Sequence, residues 1–366
     1  MNLLALHELH QTLKATFTEV NGFEAVAHYG DHRAEYAALR ASAAVFDLSF
    51  RSRLCLLGAD RIQFLHGQVT NDVNSLGPVH GCYAALVTTK GRMQGDLHIW
   101  NLAEELLLDF EPGFAAAAVA RLEKYIVSED VQVIDVAPHY GLLSVQGPKA
   151  AEVVAQLGLG VELPTEELRF ISASDTTLGQ IYLMRQSHAG ALGFDLFVPM
   201  ASLGAVADKL IAAAKSRGGR ACGWQALEIA RIEAGIPRFG VDMDETNLPP
   251  EAGIGARAMS YRKGCYIGQE VLNRLHTMGR VNRELRGLRL AGGLTELPSR
   301  GDKLFKDGKE VGHITSATVS PALSASIALG YVRREWLAAG TELTLEMKNG
   351  SSRAEVAELP FVKALV

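Results

Sequence analysis

Cysteine is scarce in this 366-residue chain: Cys55, Cys82, Cys222 and Cys265 are the only four, and no two form a C-x-x-C pair. That spacing argues against a cysteine-rich zinc site and a disulfide framework, and it fits reduced thiols in a cytoplasmic protein. Long apolar runs are also missing, so no membrane span is expected. The N-terminal stretch MNLLALHELHQTLK carries His7, Glu8 and His10 and lacks the apolar core of a signal peptide. There is no G-x-G-x-x-G: the fragment Gly158-Leu159-Gly160 has no third glycine. With no G-x-x-x-x-G-K-[ST] either, the usual nicotinamide, flavin and ATP classes are disfavoured. The run Asp242 to Asn247 lacks the glycine and the terminal glutamate of a calcium loop, and no metal is expected. Excess positive charge is absent too, since 36 Lys and Arg face 41 Asp and Glu for a net charge of −5. A protein that binds nucleic acid by bulk charge would be basic, so any RNA contact needs a local patch.

What is present is a globular composition. Hydrophobic residues make up 48% and charged residues 21%. At ~150 residues per domain, the length suggests two or three domains. Apolar periodicity predicts helices over 3–17, 31–45, 59–69, 114–125, 146–157, 202–217 and 223–234. Strands are expected over 51–58, 131–136 and 142–145, and hairpins over 81–101 and 181–198. The order is mixed, so the fold class is α+β and not a doubly wound parallel sheet. After Arg283 short alternating runs such as LRGLRL, ASIALGYV and TELTLEM lie between Gly, Pro and Asn turns. These predict a small C-terminal all-β barrel or sandwich of about 80 residues. The division is 1–282 and 283–366, with a junction inside the first part near 137–141.

Three stretches carry candidate chemistry. In Lys263-Gly264-Cys265-Tyr266-Ile267-Gly268-Gln269-Glu270 two glycines bracket a cysteine and a tyrosine. Lys263, Arg262 and a helix starting near Gln269 would favour the Cys265 thiolate if the loop is exposed, whereas a buried cysteine in a packing loop would be inert. Asp96 follows the turn Lys90-Gly91-Arg92 and adjoins Gly95, as a ligand-orienting carboxylate or a solvent-facing strand residue. Glu233, at a helix end in Arg231-Ile232-Glu233-Ala234, is a candidate ligand contact or an ordinary partner of Arg231 or Arg238. Between 262 and 289 seven Lys and Arg face two Glu, a local excess of +5 that suits phosphates, a polyglutamate tail or tRNA, or is only a solvated face.

Taken together, HGQVTNDV (66–73), TTKGRMQGDL (88–97), IEAGIPRFGVDMDETNLPPEAG (232–253) and KGCYIGQEV (263–271) resemble the YgfZ family. That family is related to the aminomethyltransferase, or T-protein, of the glycine cleavage system. RASAAVFDLS (40–49), VQGPKA (145–150) and GHITSATVSPALSASIALGYV (312–332) are similar to T-protein segments, so this likeness spans nearly the whole chain. KGCYIGQE is the discriminating motif, because T-proteins lack that cysteine.

The resemblance implies two intertwined α/β modules and a β-barrel around a central hole that binds tetrahydrofolate. It implies a role in iron–sulfur cluster assembly or repair, and thereby in tRNA modification, with Cys265 as the functional thiol. The alternatives are a true aminomethyltransferase and a tRNA- or partner-binding module. Iron–sulfur assembly or client proteins are the implied partners, and a monomer is expected. T-protein's catalytic aspartate in G-G-x-x-D-D corresponds to Asp96, but its neighbours correspond to Gly95 and Arg92. A folate-lining tyrosine corresponds to Tyr83, and the pterin-binding acid to Asp195, whose oxygens would face two ligand N–H groups. An upstream tyrosine corresponds to His188 and a helix arginine to Leu227.

Overall fold

A computed structural model describes residues 1–363. Helix α1 (His7–Thr12) leads into a hairpin of β1 (Thr16–Val20) and β2 (Phe23–His28). Then come α2 (His32–Ala41), β3 (Ala44–Asp47), β4 (Ser52–Leu57) and α3 (Arg61–Gln68). The meander β5 (Gly81–Val87), β6 (Met93–Asn101) and β7 (Leu106–Phe110) precedes α4 (Ala115–Glu123) and β8 (Gln132–Asp135). The middle of the chain holds β9 (Tyr140–Gln146), α5 (Ala150–Ala155), β10 (Phe170–Asp175), β11 (Gly179–Arg185) and β12 (Gly193–Pro199). It continues through α6 (Leu203–Ser216), β13 (Arg220–Ala221), α7 (Trp224–Glu233), α8 (Gly255–Ala258) and α9 (Gln269–Met278). The last part is strand apart from a 3-10 turn at Arg334–Trp336: β14 (Arg283–Leu290), β15 (Lys303–Lys306), β16 (Lys309–Ser320), β17 (Ala325–Arg333), β18 (Glu342–Met347) and β19 (Gly350–Ala357).

The strands form a five-stranded sheet in the order β5-β6-β7-β4-β8 and a six-stranded sheet in the order β10-β11-β12-β9-β3-β13. The last six strands close into the expected barrel. Strand β3 precedes the whole five-stranded sheet in sequence, yet it pairs with β9 beyond it. The two sheets are therefore interlaced through the chain.

Side-chain alternation assigns the two faces of the five-stranded sheet. Leu54, Leu56, Ala84, Leu86, Leu97 and Ile99 pack under α3 and α4 with Phe64, Leu65 and Leu122. On the other face Cys55, Trp100 and Leu107 meet Leu142, Phe170, Met184 and Phe197 of the six-stranded sheet. Tyr83, Asp96, His98 and Asp109 share this inner face by register, so polar groups enter a layer between two sheets.

Two helices differ from expectation: the one predicted over 31–45 stops at Ala41, with Ala44–Asp47 a strand, and the N-terminal one is shorter still. Only His7–Thr12 of the helix predicted over 3–17 is helical, and Thr16–Val20 is a strand. The cause is a two-residue turn: Asn21 and Gly22 both have positive φ, 50° and 86°, the conformation that joins twisted antiparallel strands tightly. The run LLLDF of β7 carries no alternation, because both of its faces are buried.

Candidate functional site

The cleft lies where the inner faces of the two sheets meet α7 and the loop after it. Strands β5 and β6 supply Tyr83, Asp96 and His98, and the end of β11 leads into Gln186 and His188. Helix α7 presents Trp224, Leu227, Glu228 and Arg231, spaced i, i+3, i+4 and i+7 along one face. Ile236, Pro237, Arg238, Ile254 and Arg257 close it from the loop side. Its free volume is about 80 Å³. That is below the roughly 300 Å³ at which small-molecule pockets begin, so a ligand has to move rim side chains such as the half-exposed Arg257.

Asp96 is the pivot. The Tyr83 hydroxyl donates to Asp96 Oδ2 at 2.7 Å, while Oδ1 is buried without a partner. Burial raises the Asp96 carboxyl to about 6, against the stabilising Tyr83 hydrogen bond. His98 stacks near Tyr83 with ring centroids 5.0 Å apart and lies 2.8 Å from Gln186 Nε2. Burial holds His98 well below its ordinary range, so the ring is neutral.

A chain of buried charges frames the cleft. Arg51 donates to both oxygens of Asp109 and, at 3.2 Å, to Glu111 Oε1. Arg238 donates to Glu111 Oε2 at 2.7 Å and to Glu228 at 3.2 Å. Arg231 continues from Glu228 to Asp242, which accepts hydrogen bonds from Thr315 and Ser316 of the barrel. The Arg238 guanidinium also covers the Trp224 ring at 4.5 Å. Sequence reading missed Arg51, His98, Glu111, Gln186, Trp224 and Glu228. Their partners lie far off in sequence, 127 residues in the case of Glu111 and Arg238. The only local signal was the sheet alternation that turns His98 and Asp109 inward.

The structure unites some expected residues and separates others. Tyr83, Asp96, His188 and Leu227 all line the cleft. Asp195 is 2% exposed and sits behind His188, whose Nε2 holds its Oδ2 at 2.7 Å. The expected two-oxygen contact of Asp195 with a ligand is therefore corrected: one oxygen is taken, and His188 is the group that faces the cleft. Glu233 is corrected as well. It is buried outside the cleft, where it accepts from Tyr36 and Ser320 and ties α2, α7 and the barrel together. It pairs with neither Arg231 nor Arg238, which use Glu228, Asp242 and Glu111.

Cys265 is exposed and is not among the cleft-lining residues, so it does not join Asp96. Lys263 does not serve it as expected either. Its buried ammonium donates to the carbonyls of His66, Val69 and Asn71, capping the C-terminal end of α3. Helix ends leave such carbonyls unpaired, and a cation suits their dipole. Ile267 N–H adds a bond to Gly67 O, and Tyr266 packs into the cluster that backs Tyr83. The loop is thus stapled behind the cleft with its thiol outward. Lys263→Met should lower stability by about 1–3 kcal/mol, since two buried carbonyls and a part-buried one lose their donor. Urea unfolding checks this, and an unchanged midpoint would show that the staple is idle. In both proteins an alkylating reagent should reach Cys265 before Cys55, Cys82 and Cys222, which are all buried. Burial also pushes the Cys82 thiol up to about 12.

In the basic stretch, Arg283 pairs with Glu251 and Arg286 with Glu284, while Arg262, Arg274, Arg280 and Arg289 are exposed. Among the described residues no helix is long and apolar enough to cross a membrane, and no cluster of three or more His, Cys, Asp or Glu could hold a metal ion.

Residues 6–263 match the family described as the GCVT N-terminal domain, and residues 283–363 match the glycine cleavage T-protein C-terminal barrel domain. The chain belongs to the glycine cleavage T-protein family. It is 28% identical to an aminomethyltransferase of Shouchella clausii, covering 98% of this chain and 97% of that protein. It is 30% identical to an aminomethyltransferase of Mycolicibacterium paratuberculosis, covering 98% and 96%. The crystal structure of glycine cleavage system aminomethyltransferase T from Bartonella henselae superposes with a TM-score of 0.88 at 27% identity, over 99% of this chain and 98% of that one. The T-protein fold expected from the resemblance is therefore the fold of this chain. These relatives are T-protein family members, and the narrower likeness to YgfZ rests on the KGCYIGQE motif.

Proposed function

We propose that the chain is a tetrahydrofolate-dependent one-carbon transferase of the aminomethyltransferase type, with residues 1–282 forming the folate-binding part and 283–366 the barrel. The observation that carries this reading is Asp96: one oxygen is fixed by Tyr83 and the other is buried and unpartnered in the cleft. One further buried oxygen of a cleft-lining residue, Gln186 Oε1, also lacks a partner. Both are acceptors, so the cleft suits a ligand rich in N–H donors, and a reduced pterin is such a ligand. Tetrahydrofolate, when bound, supplies a nucleophilic nitrogen that accepts the one-carbon unit.

The protein's part is orientation and charge. Asp96 Oδ1 accepts an N–H from the ligand and holds the reacting nitrogen in place, while the Tyr83 hydroxyl keeps the carboxylate from rotating. With a carboxyl near 6, Asp96 is ionised at neutral pH and becomes protonated in mild acid. Transfer should therefore rise with pH through about 6 and level off above it. Arg51, Glu111 and Arg238 brace the rim without taking up protons. Tetrahydrofolate should raise the melting temperature of the purified protein. Release of ammonia from an aminomethylated lipoyl carrier, dependent on tetrahydrofolate, tests the transfer itself. A flat melting temperature across millimolar tetrahydrofolate would remove the folate premise.

A second reading is favoured by one observation. The KGCYIGQE loop is fastened at Lys263 and Tyr266, with Cys265 exposed, an arrangement that suits a thiol acting on a partner in iron–sulfur cluster upkeep. Complementation of a deletion strain by Cys265→Ser, scored by iron–sulfur enzyme activities and thiolated tRNA bases, separates the two readings. Full restoration by Cys265→Ser leaves only the transferase reading.

A further inference from the structure

The layer between the two sheets holds a second cavity of about 230 Å³ that shares no lining residue with the cleft. Arg53, Cys55, Leu107 and Phe197 line it, and each is buried. Tyr140, Tyr182 and Glu105 are half-buried on its wall. At about 20–30 Å³ per non-hydrogen atom, the space takes a ligand of roughly ten such atoms.

Arg53 is the unusual member. Four arginines are buried among the described residues, and Arg51, Arg231 and Arg238 each contact carboxylates. Arg53 contacts none. Its two terminal nitrogens donate to the carbonyls of Arg51, Ser49 and Ala137, and its Nε–H is buried without a partner. Asp109, Asp47 and Asp135 act on it only from a distance, and burial pulls it down to about 10, where it is still a cation at neutral pH. Arg53 thus lines the cavity with a donor that nothing in the protein accepts, and leaving a buried guanidinium N–H unpaired is costly. The same cavity holds a carboxylate, Glu105, beside the Cys55 thiol. His139 on the rim is exposed.

One cation, one anion and a wall of Leu102, Leu107, Tyr140, Tyr182 and Phe197 define a ligand chemistry. We propose that this cavity is a second small-molecule site, separate from the cleft, for a free α-amino acid with an apolar side chain. The carboxylate would accept from Arg53 Nε–H, the ammonium would donate to Glu105, and the side chain would lie among the aromatic rings. An anion alone would meet Glu105, and an amine alone would meet Arg53, so the zwitterion is the form that both charges accept.

L-Leucine, with nine non-hydrogen atoms, is the probe. It should raise the melting temperature of the full-length protein at millimolar concentration and slow the labelling of Cys55. 4-Methylpentanoate, which lacks the ammonium, and 3-methylbutylamine, which lacks the carboxylate, should each bind at least about tenfold more weakly. The leucine effect should persist in saturating tetrahydrofolate, because the two sites share no residue. Arg53→Gln should abolish it. Since Arg53 is a core residue and that variant can fail to fold, Glu105→Gln on the half-exposed wall is the second test, with an expected rise in Kd of about tenfold. No effect of L-leucine on melting or labelling overturns the proposal. So does an equal effect of 4-methylpentanoate, or a leucine Kd unchanged in Glu105→Gln. Loss of the leucine effect on adding tetrahydrofolate would assign the binding to the cleft instead.

Discussion

Asp96→Asn should lower one-carbon transfer by about 10²–10⁴-fold and at the same time make the protein more stable at pH 7, by up to ~3 kcal/mol. The two effects have one origin. Burial raises the Asp96 carboxyl from 3.8 to about 6 in the folded protein. A group held above its unfolded value contributes its stability below pH 3.8, and that contribution is lost as pH rises through 6. Above that point the fold carries an ionised, partly unpartnered carboxylate, which is what an acceptor for a ligand N–H requires and what a stable core would avoid. Asparagine keeps an oxygen for the Tyr83 hydroxyl and never ionises. Urea unfolding of both proteins at pH 7 and pH 4 measures the difference, which should shrink towards zero at the lower pH. Tetrahydrofolate binding should survive the substitution. A variant that transfers normally, or whose stability tracks the parent at both pH values, would make Asp96 an ordinary strand residue.

Replacing Glu111 with alanine should be the most damaging single change at the cleft, at about 3–5 kcal/mol. Glu111 lies between two buried guanidinium groups, accepting from Arg51 at 3.2 Å and from Arg238 at 2.7 Å. Those cations hold its carboxyl below the ordinary range despite burial. Its stabilisation is therefore full at neutral pH and fades only in acid, as the carboxylate takes up a proton. Without it both cations remain buried, and Arg238 loses the anchor that keeps it over Trp224. Equilibrium unfolding followed by tryptophan fluorescence should show an earlier midpoint, and tetrahydrofolate should no longer raise the melting temperature. The double variant Glu111→Ala/Arg238→Met should recover part of the loss, because it removes one of the two buried cations that Glu111 neutralises. A loss below about 1 kcal/mol in the single variant would mean that water reaches the pair and screens it.

The sequence by itself determined the parts whose signals are local. The turn at Lys90-Gly91-Arg92 and the apolar alternation around it specify the β5–β6 hairpin, and with it the neighbourhood of Tyr83 and Asp96. Regular turns after Arg283 specify a run of short strands for a barrel or a sandwich, and the structure closes them into a barrel. Asn21-Gly22 specified a hairpin too, but the apolar spacing of the preceding residues suited a helix equally well. Family motifs supplied the overall plan and the candidate ligand, since such motifs record which residues the site needs. What only the tertiary structure decided is who meets whom. Asp195 is withdrawn behind His188, Glu233 braces the barrel, and Lys263 caps α3 instead of flanking the Cys265 thiol. Arg51, Glu111, Arg238, Glu228, Arg231 and Asp242 become one chain of charge. The physical reason is that a charged side chain shows no periodicity and no turn signal. Its role depends on which opposite charge or unpaired backbone group the fold brings within about 3 Å, and on whether water is kept out.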